Sequence, residues 1–441
     1  MRPTPSSGLM GMAWLSSILF LAYIPAQHDW NLILPSVLVS FLSYIFLIRD
    51  KDEATLKWGL VLAIVARLAI IPAFPNLSDD VYRFIWDGQL WHIGIHPFSE
   101  VPSGLIGQHP LLSDQLFSAL NSQEYYSIYP PIPQAIFWVA TGIAGSDIWL
   151  ASTIMKAIHA FIDIGTLILI IKTLETLGIA RKRVLIYALN PLIIIELVGN
   201  LHHEGLVIFF LVGMIYFLSR KGILLSALFF CGAVASKLLP ALFFPLIFFF
   251  LKGKNRWFFA GYSTIFTLLL FIPVLGDFTI IQNIRESADL YVRKFEFNAG
   301  IYYILREIGY VIKGYNTIHV LGPFLMTTSL VLILMLAYRS WKSHIKISQI
   351  PALMIWTYLS YALLSITLHP WYIAILIPLT LMTPYKMPIL WSGLIFMTYI
   401  NYSFESYYEP LGLVLLEYAV VFFLLYREWK KYGIMPASYK Y

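Results

Sequence analysis

Apolar runs close to the length of a membrane span follow one another along most of the chain, and short polar segments separate them. A helix needs about 20 apolar residues to cross the hydrocarbon core of a bilayer. Because lipid offers no partners for backbone N–H and C=O groups, such runs must be helical inside a membrane. The pattern therefore predicts an all-α polytopic membrane protein.

The runs predict about fourteen transmembrane helices, within a range of about 11 to 15. The first run, residues 9–26, is expected to be a span and not a signal peptide, because a second run follows almost at once. The predicted spans lie near residues 9–26, 31–48, 57–74, 152–171, 184–199, 205–218, 222–236, 239–251, 257–275, 317–338, 350–368, 370–385, 388–403 and 410–427.

Composition and charge support this class and exclude others. Apolar residues make up 59% of the chain and charged residues 12%, whereas a globular protein averages about 25% charged residues. The net charge of +6 comes mainly from basic clusters in short loops, which mark the cytoplasmic side. These clusters place both termini in the cytoplasm and suit anionic lipid headgroups, so nucleic acid is not implied. The single cysteine, Cys231, excludes a disulfide framework.

The same charge pattern predicts one integral membrane domain over 1–441 with two long exoplasmic loops. The first loop, 75–128, is predicted to be catalytic and to bear short amphipathic helices, and the second spans 276–316. The apolar stretch 129–148 is interpreted as a re-entrant helix, because counting it as a span would move a basic cluster outside. Its proline-rich start can open a helix but cannot continue one.

The segment 78–88 holds the densest group of residues able to do chemistry. Three carboxylates, Asp79, Asp80 and Asp87, accompany one guanidinium, that of Arg83. Charge at the mouth of a membrane span is costly unless it faces water and binds something. A carboxylate can take a proton from an acceptor and a guanidinium can hold a phosphate. We therefore expect the chemistry in this segment.

Other polar residues gather on the predicted outer side, and each has a simpler interpretation. Arg67 lies within a span, where it either lines a cavity or pairs with an interior carboxylate to fix helix packing. Lys237 either binds substrate or reaches to the interface. His202 and His203 would point about 100° apart on a helix, so a hydrated turn is favoured over a metal site. Trp371 could be an interfacial anchor.

In chain order these residues resemble the GT-C superfamily of membrane glycosyltransferases. The resemblance is to bacterial polyprenyl-phosphate mannosyltransferases and the catalytic subunit of the first GPI mannosyltransferase, and covers roughly residues 57–385. The elements that carry it are Asp79-Asp80-Val81-Tyr82-Arg83, Trp86-Asp87-Gly88, Gly94-Ile95-His96-Pro97-Phe98, Tyr126-Ser127-Ile128-Tyr129-Pro130-Pro131, Lys156 with Asp163, Asn190-Pro191-Leu192, Gly199-Asn200 with Glu204, Lys237-Leu238-Leu239-Pro240 and Pro370-Trp371-Tyr372. The GPI enzymes carry Asp-x-Asp before Tyr-Arg, whereas here the acids are adjacent, which leaves open whether Asp79 or Asp80 works.

The resemblance implies an inverting glycosyltransferase, with mannose as the sugar of its relatives. It would move a hexose from a polyprenyl-phosphate donor to a lipid-linked or glycan acceptor on the exoplasmic face. Asp79 or Asp80 would be the general base. The expected donor-phosphate ligands are Arg83, Lys237, Arg67, Lys156 and His369. The expected sugar or acceptor contacts are Trp86, Asp87, Tyr126, Tyr129, His202, Glu204, Trp371 and Tyr372.

The implied partners are membrane lipids, the polyprenyl-phosphate sugar and the acceptor, in the plasma or inner membrane if the source is bacterial. No cofactor is implied with certainty, and a divalent cation stays open. The alternative is a transporter or flippase of lipid-linked sugars, which would also need many spans and buried charge. Transporters often carry internal repeats, and the acidic loop has no counterpart in the second half of the chain.

Overall fold

The structure is a computed structural model that describes residues 4–50 and 53–436. Within these residues the chain forms twenty α-helices and no β-strand, with one isolated β-bridge between Phe297 and Thr367. The helices are α1 Pro5–Tyr23, α2 Trp30–Arg49, α3 Glu53–Ala69, α4 Asp80–His92, α5 Pro102–Leu105, α6 Asp114–Ser118, α7 Pro131–Ala144, α8 Ile148–Thr176, α9 Leu185–Ala188, α10 Glu204–Ser219, α11 Ile223–Ser236, α12 Phe244–Phe250, α13 Lys254–Phe271, α14 Phe278–Arg293, α15 Gly300–Lys313, α16 Ile318–Lys342, α17 Ile350–Ala362, α18 Leu376–Thr380, α19 Met387–Leu394 and α20 Leu411–Tyr432.

Five helices are long and apolar enough to cross a membrane, namely α1, α2, α8, α13 with its short extension, and α16. A sixth span results if the π-helical turn Ile193–Gly199 and α10, which meet at a bend of 111°, count as one. The all-α membrane class is confirmed in this sense, but the count of about fourteen spans is not confirmed. Several predicted spans are divided; the run 370–385, for example, holds the 3-10 helix Pro370–Ile375 followed by α18.

Large apolar side chains cover much of the outer surface of the bundle. Leu42 is 71% exposed, Ile143 66% and Phe161 64%. A soluble protein rarely exposes apolar side chains in extended patches, whereas the hydrocarbon of a bilayer accepts them without cost. The surface of the described residues therefore fits a bundle surrounded by lipid.

A buried ion pair joins α3 to α8. The Arg67 Nε atom lies 2.5 Å from Asp163 Oδ2, and both side chains are fully buried. The Tyr187 hydroxyl donates to the other Asp163 oxygen, and Arg67 Nη1 donates to the carbonyls of Ala63 and Ala188 at 2.9 and 2.8 Å. The pairing is the interior carboxylate contact that the packing interpretation of Arg67 expected.

The segment 75–128 contains α4, α5 and α6 and shares a hydrophobic core with α7 and the start of α8. Helix α4 packs directly on α7, where Gly88 permits the contact, because a Cβ atom there would lie 2.6 Å from the Phe137 carbonyl oxygen. The chain turns after α4 at Gly94, whose φ of 76° favours glycine. This packing fixes the amino end of α4, where Asp79 and Asp80 lie.

The predicted re-entrant stretch 129–148 forms α7 and the beginning of α8. Pro130 is the N-cap residue of α7 and Pro131 its first residue, positions at which proline opens a helix without losing a needed hydrogen bond. Helix α7 has 14 residues, fewer than the roughly 20 that span a bilayer. Its depth in the membrane stays a prediction.

The segment 276–316 forms α14 and α15 and is tied to the late part of the chain by the isolated β-bridge. The Phe297 N–H donates to the Ile366 carbonyl at 3.0 Å, and the Leu368 N–H donates to the Phe297 carbonyl at 2.8 Å. The Thr367 hydroxyl donates to the Phe295 carbonyl at 2.7 Å. These bonds hold the segment after α14 beside the 3-10 helix that begins at Pro370.

Asn298 anchors the same segment from a second direction. Its backbone has a φ of 45°, a conformation that asparagine tolerates better than most residues. The Asn298 N–H donates to Glu409 at 2.7 Å, and its side-chain amide donates to the buried Glu417 at 3.2 Å. The segment 276–316 is thus held by both the bridge and the region around α20.

Breaking the pair between Arg67 and Asp163 is expected to destabilise the protein strongly. Arg67→Met leaves the Asp163 charge buried without compensation, which costs about 3–5 kcal/mol of unfolding free energy. The double variant Arg67→Met/Asp163→Leu should lose less than the sum of the two single variants. The measurement is thermal unfolding in detergent, with the exposed Arg220→Met as control, expected to change stability by about 0.5 kcal/mol or less. Equal stability of Arg67→Met and Arg220→Met would contradict this role.

Candidate active site

A cavity of about 680 Å³ lies where three distant parts of the chain meet. The first part is α4 with the segments before and after it, the second is the region of the bend and the end of α11, and the third combines α14 and the segment after it with residues 369–407. Gln27, between α1 and α2, adds one more lining residue. The lining residues are Gln27, Ser78, Asp79, Asp80, Arg83, Phe84, Asn121, Ser122, Tyr125, Tyr126, Ser127, Ile128, Tyr129, Pro130, His202, His203, Glu204, Ser236, Lys237, Ser287, Leu290, Lys294, Phe295, Phe297, His369, Trp371, Tyr372, Tyr402 and Tyr407. Ligand sites commonly occupy about 300–1,000 Å³, so the cavity has the size of a substrate site.

The two adjacent acids line the cavity in different surroundings. Asp79 is the N-cap residue of α4, and its carboxylate has no hydrogen-bond partner among the described residues. Asp80 begins the helix, and its Oδ1 atom accepts a bond of 3.0 Å from the Asn121 amide. Partial burial, and secondarily the charge of Asp80, raises the pKa of Asp79. Asp80 is thus the acid with a fixed orientation.

The bend before α10 brings further polar residues to the cavity. Leu201 has a φ of 64°, a conformation that is strained for a large side chain, and its side chain is fully buried. The turn directs the His202 ring toward α4, where its Nε2 atom lies 4.0 Å from Asp80 Oδ2. On the other side, His202 Nδ1 lies 3.1 Å from Glu196 Oε2 and 3.0 Å from the Glu196 carbonyl.

Arg83 lines the cavity, and hydrogen bonds to neighbouring protein groups fix two of its three nitrogen atoms. Its Nε atom donates to Asp87 at 2.8 Å, one turn along α4. Its Nη1 atom donates to the carbonyls of Tyr125 at 2.7 Å and Ser122 at 3.1 Å. The Nη2 atom is buried and has no partner among the described residues. Arg83 thus has one nitrogen, with two N–H groups, left for a ligand.

Lys237 stands where α11 ends, in extended backbone conformation. Its ammonium pairs with Glu204, which is buried, and lies 3.9 Å above the centre of the Tyr372 ring. The carboxylate offsets the lysine charge, and the ring adds a cation–π contact. The pair brings a compensated ammonium to the cavity wall.

Aromatic rings form a stack at the late wall of the cavity. The Trp371 ring lies 3.5 Å from the His202 ring and 4.5 Å from the His369 ring, nearly parallel to both. The Phe297 ring packs on His369 at 4.5 Å, so the β-bridge also positions this wall. The His369 Nδ1 atom is buried without a partner among the described residues.

Eleven of the predicted site residues line the cavity and four do not. Arg67 is buried in its ion pair with Asp163. Lys156 is fully buried and donates to the Ala73 carbonyl at 2.6 Å. Trp86 is fully buried. Asp87 is buried too, bound by Arg83, by the Ser127 hydroxyl and by the Gln134 amide, the last at 2.8 Å. The predicted contacts of these four with substrate are not tested by the structure. The eleven that line the cavity are Asp79, Asp80, Arg83, Lys237, His369, Tyr126, Tyr129, His202, Glu204, Trp371 and Tyr372.

Sequence reasoning missed Lys294, which follows α14 and lines the cavity. Lys294 is exposed and forms no ion pair with any described residue, unlike Arg83 and Lys237. The segment 276–316 has balanced charge, so nothing in the sequence singled this lysine out. The place of Lys294 directly after the amphipathic helix α14 does not by itself indicate a site, because its position at the cavity depends on the bridge at Phe297.

No group of three or more His, Cys, Asp or Glu side chains among the described residues is placed to hold a metal ion. His202 and His203 both line the cavity, but they belong to the turn before α10 and do not form such a group.

Acids, cations and aromatic rings around one cavity, in a chain with spanning-length helices, are the features expected of a membrane glycosyltransferase. Residues 17–253, more than half of the chain, match the family described as alpha-(1->6)-mannopyranosyltransferase, N-terminal domain. The chain belongs to this family, a GT-C-type mannosyltransferase family, and the resemblance inferred from the sequence is confirmed. None of the curated proteins matches the chain.

The cavity is expected to be accessible to water, and the single native cysteine allows a direct test. Cys231 is buried, and buried thiols react slowly. In a Cys231→Ser background, Asn121→Cys and Lys294→Cys should react within minutes with a water-soluble maleimide in detergent, because both positions are exposed cavity residues. Ser152→Cys, at a fully buried position, is the matched control and should stay unlabelled, as measured by mass. Labelling of Ser152→Cys at the same rate would contradict the described packing.

Proposed function

We propose that the chain is an inverting mannosyltransferase that moves mannose from a polyprenyl-phosphate donor to a lipid-linked or glycan acceptor. The observation that carries this proposal is the meeting of an acid pair and several cations in one cavity within a member of a mannosyltransferase family. We place the reaction on the exoplasmic face, since the basic clusters that mark the cytoplasm lie in other loops. The family match does not favour the transporter alternative.

The proposed reaction is a single displacement. The acceptor hydroxyl oxygen attacks the anomeric carbon as the bond from that carbon to the phosphate oxygen breaks, and the electron pair leaves with the polyprenyl phosphate. The hydroxyl proton passes to the carboxylate of Asp79 or Asp80. Attack opposite the phosphate inverts the anomeric configuration. An alpha product, as the name of the family describes, then requires a beta-linked donor.

The cations of the cavity suit the leaving phosphate because negative charge grows there in the transition state. Arg83 offers its free Nη2 atom, and Lys237 and Lys294 offer ammonium groups. Lys294 differs in having no carboxylate partner among the described residues, so its charge is available in full. His369 offers a ring nitrogen without a partner. Buried donors of this kind are normally satisfied in proteins, and a phosphate or sugar would satisfy them.

The polyprenyl chain would lie along the apolar outer surface of the bundle, while the acceptor enters from water. Tyr126 and Tyr129 line the cavity next to the acids and suit contacts with a sugar ring. We also propose that both termini lie in the cytoplasm. The proposed number of spans is larger than the five or six helices of full spanning length, because shorter helices in the bundle can pack at membrane depth.

The acid assignment predicts the effect of removing each carboxylate. Asp79→Asn and Asp80→Asn are assayed in purified form with radiolabelled polyprenyl-phosphate mannose, so that no compartment is needed. At least one variant should lose about 10²–10⁴-fold in kcat, the usual contribution of a general base. If Asp79 is the base, Asp80→Asn should move the acidic limb of the pH profile to lower pH, because the Asp80 charge raises the pKa of Asp79.

Unchanged activity in both variants at equal expression would show that neither aspartate is the base. Product formation by the purified protein in detergent also distinguishes a glycosyltransferase from a flippase, because a flippase forms no glycosidic bond.

Lys294→Ala should weaken binding of the donor phosphate. Loss of one charge-assisted hydrogen bond costs about 1.5–3 kcal/mol, so the KM for the donor should rise roughly 10- to 100-fold, with the acceptor KM unchanged. Lys294→Arg should retain most of the affinity. Arg293→Ala is the matched control, because the neighbouring Arg293 pairs with Asp289 at 2.8 Å on the surface and does not line the cavity. Equal donor KM values for Lys294→Ala and Arg293→Ala would contradict the role of Lys294.

A further inference from the structure

We infer that Asp80 is the acid that receives the acceptor proton and that His202 and Glu196 form its positioning pair, with His202 able to take the proton onward. The inference rests on the proposed function, since it assigns one base within that reaction. The observation that carries it is a continuous series of side chains from the cavity into the core. Asp80 faces the cavity, His202 lies behind it at 4.0 Å, and Glu196 lies behind His202 at 3.1 Å.

Hydrogen bonding fixes the tautomer of His202. The two groups near its Nδ1 atom are the carboxylate and the backbone carbonyl of Glu196, and both are acceptors. Nδ1 must therefore carry a hydrogen and donate it. This leaves Nε2 as the nitrogen that faces Asp80 Oδ2, and Nε2 is buried with no hydrogen-bond partner among the described residues. In the neutral ring Nε2 is a proton acceptor.

Glu196 is suited to hold the ring in this state. Its side chain is fully buried at the π-helical turn, accepts the Tyr399 hydroxyl at 2.7 Å and accepts the Asn200 amide at 3.2 Å. These bonds fix the carboxylate, which then orients the imidazole and stabilises it when protonated. Glu196 would thus have the role of the aspartate in the Ser-His-Asp triad, where a buried acid orients the histidine.

The surroundings of His202 restrict its movement. The strained turn at Leu201 and the parallel Trp371 ring at 3.5 Å hold the imidazole between Asp80 and Glu196. Closing the distance of 4.0 Å to Asp80 needs a shift of about 1 Å to reach hydrogen-bond range. The titratable groups that interact with His202 from the packed elements are Asp80, Glu196, His159, His203 and His369.

The proposed steps transfer the acceptor proton to water without any other reactant. The acceptor O–H bond breaks as the glycosidic bond forms, and its proton goes to Asp80. Transfer from Asp80 to His202 Nε2 restores the Asp80 carboxylate, and the resulting imidazolium is compensated by Glu196. The proton then returns to water through the cavity when product leaves. Asp79 has no such partner behind it, so the assignment distinguishes the two adjacent acids.

The test compares His202→Gln with His202→Asn, Glu196→Gln and the double variant His202→Gln/Glu196→Gln. Glutamine can place an amide near the Nε2 position but cannot carry a proton there. We expect His202→Gln to lower kcat by about 10- to 100-fold, to leave both KM values within about twofold, and to remove one ionisation from the pH–rate profile. His92→Gln, which changes an exposed histidine of α4 that bonds to the Trp138 carbonyl outside the cavity, is the matched control and should keep full activity.

The double variant shows whether the pair acts as a unit. If Glu196 works only through His202, His202→Gln/Glu196→Gln should be no slower than His202→Gln alone. Multiplying effects would overturn the pairing. Thermal unfolding of every variant separates loss of chemistry from loss of fold, because a merely structural role would lower stability and kcat together while leaving the shape of the pH profile unchanged.

Parallel assays of Asp79→Asn and Asp80→Asn distinguish failure of this inference from failure of the proposed function. Loss of activity in Asp80→Asn and His202→Gln supports the assignment. Normal activity with an unaltered pH profile in His202→Gln, or loss of activity in Asp79→Asn but not in Asp80→Asn, overturns it and leaves the transfer reaction intact. Full activity in both Asp79→Asn and Asp80→Asn would show that neither aspartate is the general base, which contradicts the proposed function itself.

Discussion

Compensation of buried charge is the constraint on which the rest of this structure depends. A charged group within an apolar bundle must be paired or must reach water. Arg83 is paired with Asp87 and Lys237 with Glu204, and a further pair joins α3 to α8. These three contacts pair six charged groups inside the described part of the bundle, while the buried Lys156 donates to a backbone carbonyl instead. Asp79 and Lys294 have no ion-pair partner among the described residues and lie at the cavity, where ligand and water can take the place of a partner.

The all-α membrane class could be predicted from the sequence, whereas the roles of the candidate site residues stay predictions. Polar residues at the ends of apolar runs, such as Asp79, Asp80, His202 and His369, do line one cavity. Burial within a helix was harder to foresee. Asp87 lies seven residues beyond Asp80, which is about 10 Å along an α-helix. At that position it is buried and forms an ion pair with Arg83.

Contacts between distant segments explain the other differences. Lys294 was not predicted because its position depends on the bridge at Phe297, which joins it to residues 366–368. Local pattern carries no information about such pairing. The predicted number of spans is not confirmed for a related reason: apolar composition predicts burial in lipid or in protein equally well, and several runs break into short helices that pack on neighbours. The bend before α10 likewise arises from a strained residue, Leu201, that composition cannot reveal.

The bridge at Phe297 also has a consequence for biosynthesis. The acids of α4 leave the ribosome early, whereas the wall that contains Phe297 and His369 follows more than two hundred residues later. Because chains are made from the amino terminus and domains assemble as their parts emerge, the cavity has only part of its lining through most of translation. Synthesis must therefore proceed beyond His369 before the described lining is complete, so a nascent chain that stalls between α4 and α14 has the carboxylates of Asp79 and Asp80 without the wall that contains Phe297 and His369.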